Sequence, residues 1–352
     1  MTHSARKFMG HSTNTLQTAI IGASGYSGVE LVKLLLNHPQ VSLAHIIGSS
    51  TVGQRLDDVY PFFRKKTDLV VEALNVEVLK DMDIVFMALP HGEAMKQVPQ
   101  LVDAGIRVID FSGDFRFKSA DVYEQWYKLP HTAAEYLEHA VYGLPELFKE
   151  EIQRARLLAN PGCYPTGAIL ALAPILSLSS VVTDFIAISS MSGTSGAGRK
   201  ANLGLIFSEV NETVKAYRVG NHQHTPEIKM MLEQVAGREL RLVFIPHLIP
   251  MTRGIYSTVC LPLKKTVAQE ELIQHYQNFY QDAPFVRVLD DRPPEIKFVT
   301  HTNYCDIHVT IDQTQQFVAI TSTIDNLVKG AAGQAMQNMN LMAGFPEEEG
   351  LS

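Results

Sequence analysis

The stretch Ile20-Ile21-Gly22-Ala23-Ser24-Gly25-Tyr26-Ser27-Gly28 decides how the chain is read. An apolar run, Thr18–Gly22, leads into it, and a helical pattern, Val29–Asn37, leads out to a stop at His38-Pro39. The glycines are spaced G-x-x-G-x-x-G, which permits a tight turn and lets the backbone approach a pyrophosphate at a helix N-terminus. Strand, turn and helix in that order predict a dinucleotide site made by Gly22, Gly25 and Gly28. Tyr26 lies within the turn, and Ser24 and Ser27 add hydroxyl donors. A glycine triplet alone would also suit a turn that only packs helix on strand; the flanking elements favour the nucleotide.

Further apolar segments, Leu43–Gly48, Asp83–Leu89, Arg107–Phe111 and Arg156–Ala159, alternate with helical patterns such as Glu93–Ala104. This alternation predicts a parallel, doubly wound α/β sheet of Rossmann type. Folds of this kind that bind NAD usually end the second strand in a carboxylate for the ribose 2′-OH. Here the strand ends Ile47-Gly48-Ser49-Ser50-Thr51, with Arg55 close behind. No carboxylate repels a 2′-phosphate, and Ser49, Ser50 and Arg55 are suited to hold one, so NADP(H) is expected over NAD.

The second half carries strand-like runs at Phe185–Ser190, Leu240–Ile245, Gly254–Leu263, Ile296–Val299, Asp306–Ile311 and Gln316–Thr321, with few helices between them. That predicts an α/β catalytic domain with a mostly antiparallel sheet, one face covered by helices. The boundary falls near Asn160, giving a nucleotide domain over 17–160 and a catalytic and dimerisation domain over 161–324. The stretch Asp325–Met342 is rich in Gly, Ala and Met, and residues 325–352 are expected to pack back on the first domain. Residues 1–16 are polar and are expected to form a disordered extension.

With 352 residues, 46% hydrophobic and 19% charged, the chain has material for two ordinary domains. A net charge of -7 argues against a general nucleic-acid binder. Three cysteines, Cys163, Cys260 and Cys305, suit a reducing compartment better than a disulfide framework. The start lacks a signal-peptide core, and the longest apolar run, Ala168–Leu176, is too short to span a bilayer. A cytoplasmic protein with no membrane or nucleic-acid partner is expected.

The chemistry centres on Asn160-Pro161-Gly162-Cys163-Tyr164-Pro165-Thr166. A cysteine at the start of a helix feels the positive dipole end and free N–H groups, and both favour the thiolate. Cys260, within an apolar strand pattern, reads as a small buried hydrophobe, and nothing near Cys305 suggests activation. A nucleophile needs a proton partner. Asn221-His222-Gln223-His224-Thr225-Pro226-Glu227 offers two histidines just ahead of a helix, with Thr225 as N-cap. That position keeps an imidazole neutral near pH 7. The H-x-H pair lacks the remaining ligands of a zinc site, so no metal is expected. Ser112 and Arg116 after one strand, the Ser192–Arg199 glycine loop, and Arg253 between two strands read as anion or acyl binders.

Together these segments resemble the N-acetyl-gamma-glutamyl-phosphate reductase family over nearly the whole chain after Gln17. The resemblance rests on Tyr142-Gly143-Leu144-Pro145-Glu146, Cys163-Tyr164-Pro165-Thr166 and His222-Gln223-His224-Thr225-Pro226-Glu227. Ala88-Leu89-Pro90-His91-Gly92 and Asp114-Phe115-Arg116 also match. The glycine turn by itself would fit aspartate-semialdehyde dehydrogenase equally well. The resemblance implies a fold like that of glyceraldehyde-3-phosphate dehydrogenase and a homodimer or homotetramer. It also implies NADPH-dependent reduction of N-acetylglutamyl phosphate in arginine biosynthesis. It makes Cys163 the nucleophile and His222 the acid/base. Asn160, His224 and Glu227 then stand beside the substrate, and Leu89, Pro90, Gly196 and Asn326 beside the cofactor.

Overall fold

The computed structural model describes residues 15–351. Most of the expected extension, residues 1–14, lies outside that range, and Leu16 already opens the first strand. Seven strands form the first sheet: β1 (Leu16–Ile21), β2 (Val41–Ile47), β3 (Val71–Glu72), β4 (Ile84–Met87), β5 (Arg107–Asp110), β6 (Ala140–Tyr142) and β7 (Leu157–Ala159). Their order is β3-β2-β1-β4-β5-β7-β6, and every pairing is parallel. All four residues of β4 are buried, as expected where helices cover both faces. The order reverses between β1 and β4, and the crevice beyond their carboxyl ends is where such sheets hold ligands. Gly22 follows β1 there, and Ala88 follows β4.

The second sheet contains β8 (Phe185–Ser192), β9 (Lys215–Ala216), β10 (Arg241–Leu248), β11 (Ile255–Pro262), β12 (Val286–Val288), β13 (Cys305–Ile311) and β14 (Phe317–Ile324). Their order is β12-β13-β14-β11-β8-β10-β9. This sheet is mixed rather than simply antiparallel. β8 and β10 run parallel from Phe185↔Arg241 to Ser192↔Leu248, and β12 and β13 are also parallel. The cause is the helix His224–Ala236, which carries the chain back to the end where β8 began. Along β8 the buried residues Ile186, Ile188, Ser190 and Ser192 alternate with more open ones. The buried face packs on the helix Cys163–Ser177, which is enclosed from Tyr164 to Leu176.

The expected strand Ile296–Val299 is instead a tight helical turn, Ile296–Phe298. Pro293 and Pro294 precede it and have no N–H groups to donate to a ladder. The helical pattern over 93–104 splits into a short turn, Ala94–Lys96, and a helix, Val98–Asp103. At the C-terminus a wide helical turn, Val328–Ala332, runs into the helix Gly333–Ala343. Ala335, Met336 and Met339 of this helix join Ile20, Leu31 and Leu35 in one core. The first domain is therefore closed by the end of the chain. Among the described residues no helix is long and apolar enough to cross a membrane.

Candidate active site

A cleft of about 1010 Å³ runs between the two domains, from the glycine turn to Cys163. Its deep end is built on the first turn of the helix Cys163–Ser177. Gly162 caps that helix in extended geometry, with φ −66° and ψ 153°. The N–H groups of Cys163 and Tyr164 face the thiol and pull its pKa down, as does Arg116. Burial outweighs them and pushes the thiol up to about 11. The expected bias toward thiolate is thus present but loses to desolvation, so the resting group is a thiol.

Arg116 is buried here. Its Nε donates to the Asn160 carbonyl at 2.9 Å, one terminal nitrogen to Glu227 at 3.0 Å, and the other to the Phe111 carbonyl at 2.7 Å. Three of its five N–H groups are used, leaving two for a ligand. Glu227 is fully buried and also accepts from Tyr142 at 2.9 Å and from the Gly162 N–H at 2.8 Å. It ties the histidine-bearing helix to the backbone just before the cysteine. Tyr142 was not among the expected site residues, although it lies in the Tyr-Gly-Leu-Pro-Glu segment.

The two histidines sit in different surroundings. His224 lines the cleft with Cys163, and its Nε2 lies 2.5 Å from where a Cβ on Gly162 would sit. Its Nδ1 finds no partner among the described residues. Burial, then His222 and Arg116, hold its pKa well below the ordinary value, so it is neutral. His222 stands behind it, against Tyr164, Tyr217 and Phe244, and accepts the His224 N–H at 3.1 Å. Burial, then Arg218, lower His222 to about 4. His222 is absent from the cleft lining. The helix begins at His224 with Gln223 as its cap, two residues earlier than a Thr225 cap would give. His91 also lines the cleft; burial holds it near 3, and its Nδ1 accepts the Gly113 N–H.

At the other end the cleft is lined by Gly22, Ser24, Gly25, Tyr26, Ser27, Gly28, Ser49, Leu89 and Pro90. Gly22 has φ +93°, and a Cβ there would strike the Ala88 carbonyl oxygen. Only glycine lets β1 turn so close to β4. Gly196 and Asn326 close the site from the second domain. Asn326 accepts the Gly254 N–H at 2.7 Å and donates to Ser195 at 3.0 Å, which fixes its amide.

Several expected residues lie elsewhere. Ser50 is outside the lining. Arg55 is bound by Asp57 at 2.9 Å and Asp68 at 2.8 Å, so its charge is already met. The Ser112 hydroxyl donates to Asp110 at 2.7 Å and accepts the Asp114 N–H, and so shapes the loop behind Arg116. Arg253 bridges Glu30 at 2.5 Å and Asp325 at 3.2 Å and is a cross-link between domains rather than a cleft residue. Asn160 lines the cleft but spends its amide on Ala331 and Asn338. Arg199, which ends the glycine loop read as an anion or acyl binder, and Lys200, which was not assigned, both line it.

Comparison with known proteins agrees with this layout. Residues 17–155 match the semialdehyde dehydrogenase NAD binding domain, and residues 163–326 match the semialdehyde dehydrogenase dimerisation domain. The chain is 50% identical over 339 residues to N-acetyl-gamma-glutamyl-phosphate reductase of Desulfotalea psychrophila, covering 96% of this chain and 98% of that one. It is 49% identical to the protein of that name from Pelotomaculum thermopropionicum, with the same coverage. Among solved structures, aspartate semialdehyde dehydrogenase II of Vibrio cholerae complexed with ASA superposes with a TM-score of 0.71 at 17% identity, over 94% of this chain and 99% of that one. The Candida albicans aspartate semialdehyde dehydrogenase with NADP gives 0.70 at 15% identity, with the same coverage. These two likenesses concern the fold. The chain belongs to the N-acetyl-gamma-glutamyl-phosphate reductase family of oxidoreductases, built on the semialdehyde dehydrogenase domains.

Proposed function

We propose that the chain reduces N-acetylglutamyl phosphate to N-acetylglutamate semialdehyde and inorganic phosphate with NADPH, in arginine biosynthesis, through a thioester on Cys163. The observation that carries this is the meeting of Cys163, Arg116 and His224 at one end of a cleft whose other end is the glycine turn. The turn fits a dinucleotide: its glycines leave room for a pyrophosphate and its helix N-terminus faces it. Gly22, Ser24, Gly25 and Ser27 would hold the phosphates, and Gly196 and Asn326 the nicotinamide end. When bound, the cofactor supplies a hydride to the acyl carbon.

Neutral His224, which lines the cleft with Cys163, would take the thiol proton as Sγ attacks the acyl carbon. This matters because burial keeps the thiol protonated. The Sγ–C bond forms and the C–O bond to phosphate breaks. The leaving phosphate takes the proton from His224, and the spare N–H groups of Arg116 meet the negative charge. Once the acyl carbon has been reduced, the C–S bond would break, the aldehyde would leave, and Sγ would regain a proton from solvent. His222, expected as the acid/base, instead fits a role in holding the His224 backbone. We further propose a homodimer or homotetramer formed through the second domain, which leaves Leu203 and Phe207 75% and 80% exposed.

The test is phosphate-dependent reduction of NADP with N-acetylglutamate semialdehyde, beside aspartate semialdehyde and beside NAD. Faster turnover with the aspartate compound would refute the substrate. A Cys163→Ser variant that kept turnover would refute the covalent route. Light scattering reads the oligomer.

A further inference from the structure

We propose that Arg199, delivered from the second domain, is the cation that recognises the cofactor's 2′-phosphate; this rests on the NADP reading above. Arg199 follows β8 at the end of the glycine loop and reaches across the cleft mouth to the first domain. One of its terminal nitrogens donates to the Ser24 carbonyl at 3.1 Å, and its guanidinium lies 5.1 Å from the centre of the Tyr60 ring. The Tyr60 hydroxyl donates to the same carbonyl at 2.9 Å. This corner adjoins the end of β2, since the N–H groups of Gly22 and Ala23 both reach the Ile47 carbonyl, at 2.7 and 3.4 Å. The end of β2 is where such folds distinguish a ribose 2′-OH from a 2′-phosphate.

The charges nearby single out this residue. Among the described residues Arg199 takes part in no ion pair, and one N–H in use leaves four free. Arg55 is neutralised by Asp57 and Asp68 and is not part of the cleft wall. Arg116 is committed to Glu227 at the far end. Glu93, the carboxylate on the wall, is paired with Lys96 at 2.7 Å. Lys200 lies beside Arg199 and adds positive potential. A guanidinium over a tyrosine ring with free N–H groups is suited to bidentate capture of a phosphate. The phosphate would then be clasped between the domains, so that preference for the phosphorylated cofactor is set by a residue outside the nucleotide domain.

Dissociation constants for NADPH and NADH, measured by calorimetry on the intact protein, test this in the unaltered chain and in Arg199→Ala, Arg199→Lys and Arg55→Ala. Arg199→Ala is expected to weaken NADPH by about 10- to 100-fold while NADH changes by less than about 3-fold, with Arg199→Lys intermediate. Equal weakening of both cofactors, or no weakening of either, overturns the proposal. So does a loss of preference caused by Arg55→Ala and not by Arg199→Ala. An unaltered chain that binds NADH as tightly as NADPH defeats the underlying NADP reading instead.

Discussion

Replacing Gly162 with alanine tests the geometry of the site most directly. The backbone at this position is extended, so alanine costs nothing in φ and ψ. The new Cβ would lie 2.5 Å from His224 Nε2 and 2.9 Å from an Arg116 terminal nitrogen, where ordinary contact begins near 3.4 Å. The imidazole must retreat by about 0.9 Å and the guanidinium by about 0.5 Å. Neither moves freely. Arg116 is held by Glu227 and two carbonyls, and the His224 ring is wedged against Tyr164 and His222. A misplacement of this size at reacting groups costs roughly 100-fold in rate. Overpacking costs a further ~1–3 kcal/mol of stability. The assay compares kcat, NADPH affinity and thermal unfolding with Gly167→Ala in the same helix. A Cβ at Gly167 meets Ser322 Oγ at 3.5 Å and Ile324 at 3.9 Å, which is ordinary contact. Gly167→Ala should keep full turnover and gain about 0.5–1 kcal/mol from helix propensity. If Gly162→Ala keeps kcat within about threefold, the reasoning about His224 and Arg116 fails.

Other expectations follow from buried charges and from the thiol. Arg253→Met leaves Glu30 and Asp325 without their shared cation, and a loss of about 3 kcal/mol is expected in urea unfolding, with KM for the aldehyde unchanged. A raised KM with intact stability would return Arg253 to the substrate site. Lys329 and Glu146 are both fully buried and 2.6 Å apart, so Lys329→Met should cost about 3–5 kcal/mol. Adding Glu146→Gln should recover most of that, as a double-mutant cycle would show. Alkylation of Cys163 in a Cys260→Ser background should speed up about tenfold per pH unit above pH 7, because burial raises its pKa to about 11. A plateau by about pH 8 would contradict that direction. The sign for stability follows: between 9 and 11 the unfolded thiol ionises first, so the contribution of this group falls as pH rises.

What the sequence revealed was mostly local. A strand, a glycine turn and a helix are adjacent in the chain, so the nucleotide corner could be read directly. The cysteine at a helix start was legible for the same reason. The short strands β3, β6, β9 and β12 have only two or three residues and carry no periodicity to detect. Arg253 looked like a ligand because its two carboxylates come from positions 30 and 325, far away in sequence. The spacing of His222 and His224 could not say which ring lines the cleft; His222 packs on Tyr164 and Phe244, and His224 is in the lining. The field of the helix was visible in the sequence, whereas the desolvation that overrides it at Cys163 depends on the completed fold.

The helix Gly333–Ala343 seals the core of a domain whose other parts end near Asn160. A ribosome adding about 5–20 residues per second needs roughly 10–40 s to go from one to the other. Until then the seats of Met336 and Met339 beside Leu31 and Leu35 are open and apolar. The nascent nucleotide domain is thus sticky for as long as the second domain is being made. A chain that stops before Gly333 lacks the helix that covers this core.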